Sequence, residues 1–111
     1  KMDVKEFVRE NEQGMYDLLK ELCLIPAPSG KEDARAKYCK EWLEAQGAKG
    51  VYIDEAKNVI CPLNITESNE ITVFMAHSDT VFPDMEPMPI TEADGKLYCP
   101  GVGDDTAKCI G

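Results

Sequence analysis

The sequence predicts an α/β chain, and three observations carry the prediction. Apolar residues recur at helical spacing over its first quarter. A second helical pattern follows a proline-rich break. Short runs of strand character come after that, and one of them, Ile71-Thr72-Val73-Phe74-Met75-Ala76, is nearly all apolar. Two helices, then a hairpin and a central strand of a mixed sheet, is an α/β order of elements. The chain has 111 residues, enough for one domain.

Val4, Phe7, Val8, Met15, Leu18, Leu19 and Leu22 recur at spacings of three and four. This predicts an amphipathic helix over residues 3–24. Pro26 and Pro28 end it, because the residue before a proline is driven out of the helical region. Ser29 and Glu32 have the spacing of a capping box, so a second helix is expected from Gly30 or Lys31. Ala34, Tyr38, Trp42 and Leu43 supply its apolar face, with Tyr38 and Trp42 read as core. Gly47 is suited to end it in the left-handed conformation.

Residues 51–53 and 58–63 read as a hairpin around a turn at residues 54–57. The run at 71–76 reads as a strand buried on both faces. Residues 81–92 hold three prolines and are expected to form an irregular loop. Asp94-Gly95 signals a tight turn before a short strand at 96–99, and a helix is expected to begin near Asp105.

The net charge is −9, from 21 acidic and 12 basic residues. An acidic chain offers no counter-charge to nucleic acid or to anionic membrane surfaces, so neither is an expected partner. No apolar run reaches the roughly 20 residues that span a bilayer. The first residues lack the basic-then-apolar layout of a signal peptide. Five cysteines without close pairing fit a reducing compartment, and a cytoplasmic location is expected.

Two segments carry chemistry. His77, the only histidine, directly follows the apolar run, and Asp79 stands two residues later. In an extended segment those two side chains share a side. Asp79 is then placed to accept the imidazole's second N–H and fix its tautomer. Twenty-seven positions after His77 comes Asp104, in Gly101-Val102-Gly103-Asp104-Asp105, where glycines permit a tight backbone path and carboxylates can face a cation. Taken singly, the first segment also fits a hydrogen-bonded histidine at a strand end, and the second a surface turn with a capping aspartate.

Together, the strand followed by His77-Ser78-Asp79-Thr80-Val81 and then Asp94-Gly95-Lys96-Leu97-Tyr98-Cys99-Pro100-Gly101-Val102-Gly103-Asp104-Asp105-Thr106 resembles the M20 family of dinuclear metallopeptidases. That family includes peptidase T-like aminopeptidases, glutamate carboxypeptidases and acetylornithine deacetylase-like enzymes. The resemblance extends to Ile25-Pro26-Ala27-Pro28-Ser29-Gly30-Lys31-Glu32, to the end of the second helix at 43–47, and to Asn58-Val59-Ile60.

The resemblance implies an α/β/α catalytic domain of the zinc-peptidase type, of which residues 1–111 are the N-terminal portion with no second domain. It implies that His77 is a metal ligand, that Asp79 orients it, and that Asp104 bridges two ions. It also implies a cis bond between Asp104 and Asp105. The implied cofactor is a pair of Zn2+ ions, with Co2+ or Mn2+ as alternatives. The implied reaction is hydrolysis of peptide or N-acyl amino acid amide bonds by activated water. Asp105 receives no catalytic role.

The family's Glu-Glu pair, its further acidic ligand and its late histidine have no counterpart in these residues. The isolated chain is therefore expected to bind metal weakly and to be inactive. The unpaired apolar strand predicts self-association. The competing reading is a non-catalytic α/β interaction module derived from the family. A reading frame that continues past Gly111 with a Glu-Glu pair and a late histidine marks the enzyme, and a stop codon marks the module. Cysteine nucleophile chemistry at Cys99 or Cys109 is a weaker reading, because the one histidine is already accounted for. Phe82, Met85 and Met88 lie in a loop that either borders a substrate cleft or simply packs.

Overall fold

The computed structural model describes residues 3–67 and 70–110. Its elements are α1 (Val4–Cys23), α2 (Asp33–Ala45), β1 (Tyr52–Ile53), β2 (Val59–Ile60), β3 (Thr91–Ala93), β4 (Lys96–Tyr98) and α3 (Ala107–Ile110). The chain is mixed α/β, with two small antiparallel sheets, β1–β2 and β3–β4.

α1 forms where the periodicity places it. Asp3 caps it, its carboxylate accepting the Glu6 amide at 2.8 Å. Only the C-terminal end enters the core, through Leu22 and Cys23, while Val4, Phe7 and Val8 are exposed. α2 starts later than the capping box predicts. Ser29 does not cap it, because its hydroxyl donates instead to Asp79. Residues 28–31 form a turn closed by Lys31 N–Pro28 O at 2.8 Å, with Gly30 left-handed at φ +81°. The helix then begins at Asp33 without a side-chain cap. Gly47 follows its end at φ +95°, as expected. Trp42 is exposed and Tyr38 half-buried, donating its phenol proton to Glu21; neither is core.

The β1–β2 hairpin has the expected place, with Tyr52 opposite Ile60 and Ile53 opposite Val59. Asp54 organises its turn by accepting the amides of Ala56 and Asn58, each at 2.9 Å. Lys57, at the tip, reaches the Gly30 carbonyl at 2.6 Å and the Asp33 carboxylate at 2.8 Å, which clips the hairpin to the start of α2. That ammonium holds the Asp33 carboxyl below its usual range. Asp94 and Gly95 turn β3 into β4 with positive φ at both positions, a primed turn matched to strand twist. β3 lies partly in the segment read as loop, because that turn recruits Thr91–Ala93 as partner.

The run at 71–76 is not a strand. A strand exists by pairing, and among the described residues none lies beside it. The side chains of residues 71–75 face solvent, with Phe74 94% exposed.

The core is small: Leu22, Cys23, Ala27, Ala36, Val51 and Cys99, with Arg35, Thr80 and Thr106 buried among the polar residues. Burial, with the neighbouring Cys99 thiol adding to it, pushes the Cys23 thiol up to about 12. Cys23 then carries almost no thiolate near neutral pH, and thiolate is the reactive form. Iodoacetamide at pH 8 is expected to label half-buried Cys61 and to spare Cys23 and Cys99 until denaturant is added, as read by peptide mass spectrometry.

Candidate metal centre

Two loops meet at the centre. The first is residues 77–80, anchored where Thr80 N donates to Ala27 O at 2.7 Å and where Pro28 and Thr80 form a parallel bridge. The second is the irregular helical turn Val102–Thr106, which leads into α3. Asp104 is non-helical at φ −134°, ψ 91°, and the Asp104–Asp105 peptide bond is cis. Gly101 begins this turn at φ +80°, and a Cβ there would lie 3.1 Å from Thr80 Cγ2. Gly103 has open space around it. Of the two glycines, only Gly101 is demanded by geometry. Gly101→Ala is expected to cost about 1–2 kcal/mol from the left-handed conformation alone, while Gly103→Ala leaves the thermal midpoint nearly unchanged.

The structure brings His77, Asp79 and Asp104 together. The Nδ1 of His77 lies 3.0 Å from the Asp79 carbonyl and 3.2 Å from Asp79 Oδ1. Asp79 is itself held by the Ser29 hydroxyl, which, ahead of the His77 contact, keeps its carboxyl below the usual range. The Nε2 of His77 faces the other loop, 3.2 Å from Asp104 Oδ1 and 3.8 Å from Asp105 Oδ2. Asp105 thus joins the cluster, a placement that the Asp-Asp pair alone did not specify. One ligand atom from each of His77, Asp104 and Asp105 falls within 4.8 Å of the others.

The donor chemistry fits a cation. With its Nδ1 proton directed at Asp79, a neutral His77 presents the Nε2 lone pair to two carboxylate oxygens. Lone pairs facing at that distance need a positive charge between them. A proton is one solution. Desolvation opposes it, but the hydrogen bonds to Asp79 and Asp104 and the nearby aspartate charges win, and the His77 pKa is raised. A divalent ion is the other, and imidazole plus two carboxylates is a donor set that Zn2+ and similar ions accept.

Sequence reasoning missed Arg35. It is 3% exposed and bonds to both loops of the centre. It lies on the second helix outside the apolar positions that define that helix's pattern, and no local motif marks it. Cys109 also reaches the centre's edge, where its thiol donates to the His77 carbonyl at 3.3 Å. Burial raises the Cys109 thiol pKa, which does not suit a nucleophile.

Fold and site define a mixed α/β chain with a histidine–carboxylate cluster at a loop junction. No protein-family model matches it. The chain is similar to a hydrolase: over 64 residues it is 45% identical to the "Putative LysW-lysine/LysW-ornithine hydrolase" of Pyrococcus abyssi (strain GE5 / Orsay). The matched stretch is 57% of this chain and 18% of that relative's length. Among the described residues no helix is long and apolar enough to cross a membrane.

Proposed function

We propose that these residues are the N-terminal part of the catalytic domain of an M20-type metal-dependent hydrolase acting on peptide or N-acyl amino acid amide bonds. The observation that carries this reading is the convergence of His77, Asp104 and Asp105 on one point, with Asp79 on the far ring nitrogen. The similarity to a named hydrolase supports the same class. That relative is named as a hydrolase of LysW-lysine and LysW-ornithine, which points to a substrate carrying lysine or ornithine.

In this reading His77 and Asp104 hold the ion, and Asp105 stands close enough to assist. When bound there, a divalent ion would supply the Lewis-acid chemistry that polarises an amide carbonyl and activates water. The chain's own residues do the rest. Asp79 fixes the imidazole tautomer, Ser29 fixes Asp79, and the Gly101 turn holds Asp104 opposite His77.

Zinc titration of the 111-residue chain by calorimetry tests the proposal. Binding weaker than micromolar is expected, because a catalytic zinc site normally has three protein ligands plus water and this cluster is more than half exposed at Asp104. His77→Ala and Asp104→Asn are each expected to abolish the binding. Heat release that is absent in the parent chain, or unchanged by both substitutions, would overturn the reading.

A further inference from the structure

We infer that Arg35 is the positioning residue of the His77–Asp104–Asp105 centre, holding its two loops in register from below. The inference rests on the metal-site reading for its purpose, but its geometry stands without any ion.

Arg35 lies in the first turn of α2 and is almost wholly buried. Its Nη1 donates to the Ser78 carbonyl at 2.9 Å and to the Thr106 hydroxyl at 3.0 Å. Ser78 sits between His77 and Asp79, and Thr106 directly follows Asp105. A single nitrogen therefore ties the imidazole loop to the carboxylate turn. The remaining donors fix the guanidinium to the end of α1: Nη2 to the Leu22 carbonyl at 2.9 Å, and Nη2 and Nε to the Ile25 carbonyl at 3.0 and 3.2 Å.

Three features separate this from ordinary packing. Among the described residues none of the hydrogen bonds of Arg35 goes to a carboxylate, so its charge is spent on carbonyls and one hydroxyl. Among the described residues no backbone hydrogen bond joins residues 77–80 to residues 101–106, so side chains must set the spacing. The guanidinium is a rigid planar fork, and fixing directions between two chain segments is what its geometry does better than an ammonium. Thr106 complements it: its side chain is fully buried and its oxygen faces the fork.

The test uses Thr106→Val, which keeps the shape and removes the acceptor, with Arg35→Lys as a second variant. His77 is the chain's only histidine, so a single imidazole resonance reports the site in the metal-free protein. With native circular dichroism retained, T106V is expected to shift or broaden that resonance and to weaken binding of Zn2+ alone by about ten- to a hundredfold. R35K, lacking the fork, is expected to do the same or more. Variants that fold and keep both the parent resonance and the parent zinc affinity would overturn the inference. A resonance that moves in T106V while the parent chain takes up no zinc would leave Arg35's role standing and sink the metal reading.

Discussion

Arg35→Met is expected to abolish cooperative folding of the chain at room temperature. The substitution keeps much of the side chain's volume, so a cavity is not the issue. What is lost is the donor set. Among the described residues the Ile25 and Ser78 carbonyls have no other partner, and the Thr106 hydroxyl loses its acceptor role to Arg35. The Leu22 carbonyl retains the Ile25 amide at 3.0 Å.

Each buried acceptor left unsatisfied costs about 1–3 kcal/mol. Replacing a buried ion pair with apolar groups can be neutral, because both partners leave together. Here the partners are main-chain carbonyls and cannot be replaced. Three such acceptors sum to roughly 3–9 kcal/mol, a range that spans the roughly 5 kcal/mol at which the whole stability of a small domain starts. Urea titration followed by circular dichroism checks this: the parent gives a sigmoidal transition, and the variant gives a sloping baseline. A midpoint within error of the parent's would refute it.

Much of the local structure was legible in the sequence because local chemistry decides it. The periodicity of α1, the left-handed stop at Gly47 and the Asp94-Gly95 turn are properties of a few neighbouring residues, and all three stand where the pattern puts them. Ser29 shows where such reasoning stops. Its spacing to Glu32 fits a cap, yet a carboxylate fifty residues away accepts its hydrogen bond. Arg35 is the same lesson in reverse: five hydrogen bonds from one side chain go to four acceptors, none of which a window around residue 35 reveals as a partner. The proximity of His77, Asp79 and Asp104 came from joining two distant motifs, and the geometry adds Asp105 to them. The run at 71–76 was misread for a different reason. Its composition describes a strand with neighbours on both sides, and composition does not supply the neighbours.

That unpaired run makes the second large effect: the 111-residue chain is expected to self-associate, and a charged pair of substitutions is expected to return it to a monomer. A folded monomer of its mass, 12.3 kDa, exposes about 6,100 Å². This chain exposes 8433 Å². Its radius of gyration, 15.2 Å, also exceeds the roughly 13 Å of a compact chain of this length. The excess, about 2,300 Å² on that scaling, is more than the roughly 800 Å² that each partner buries in a standard interface.

Ile71, Val73, Phe74 and Met75 place four of the exposed large apolar side chains in one short segment. A second copy can satisfy its backbone and its side chains at once by pairing along it. The charge of −9 on each copy opposes the encounter, so association strengthens as salt screens the repulsion. Light scattering is expected to give a mass above the monomer that grows with protein and salt concentration. Val73→Lys with Phe74→Lys places a charge on each side of the segment, because consecutive residues point to opposite sides. That variant should stay monomeric with unchanged circular dichroism. A parent chain that scatters as a monomer at high concentration and high salt would show that the segment is not sticky enough to pair.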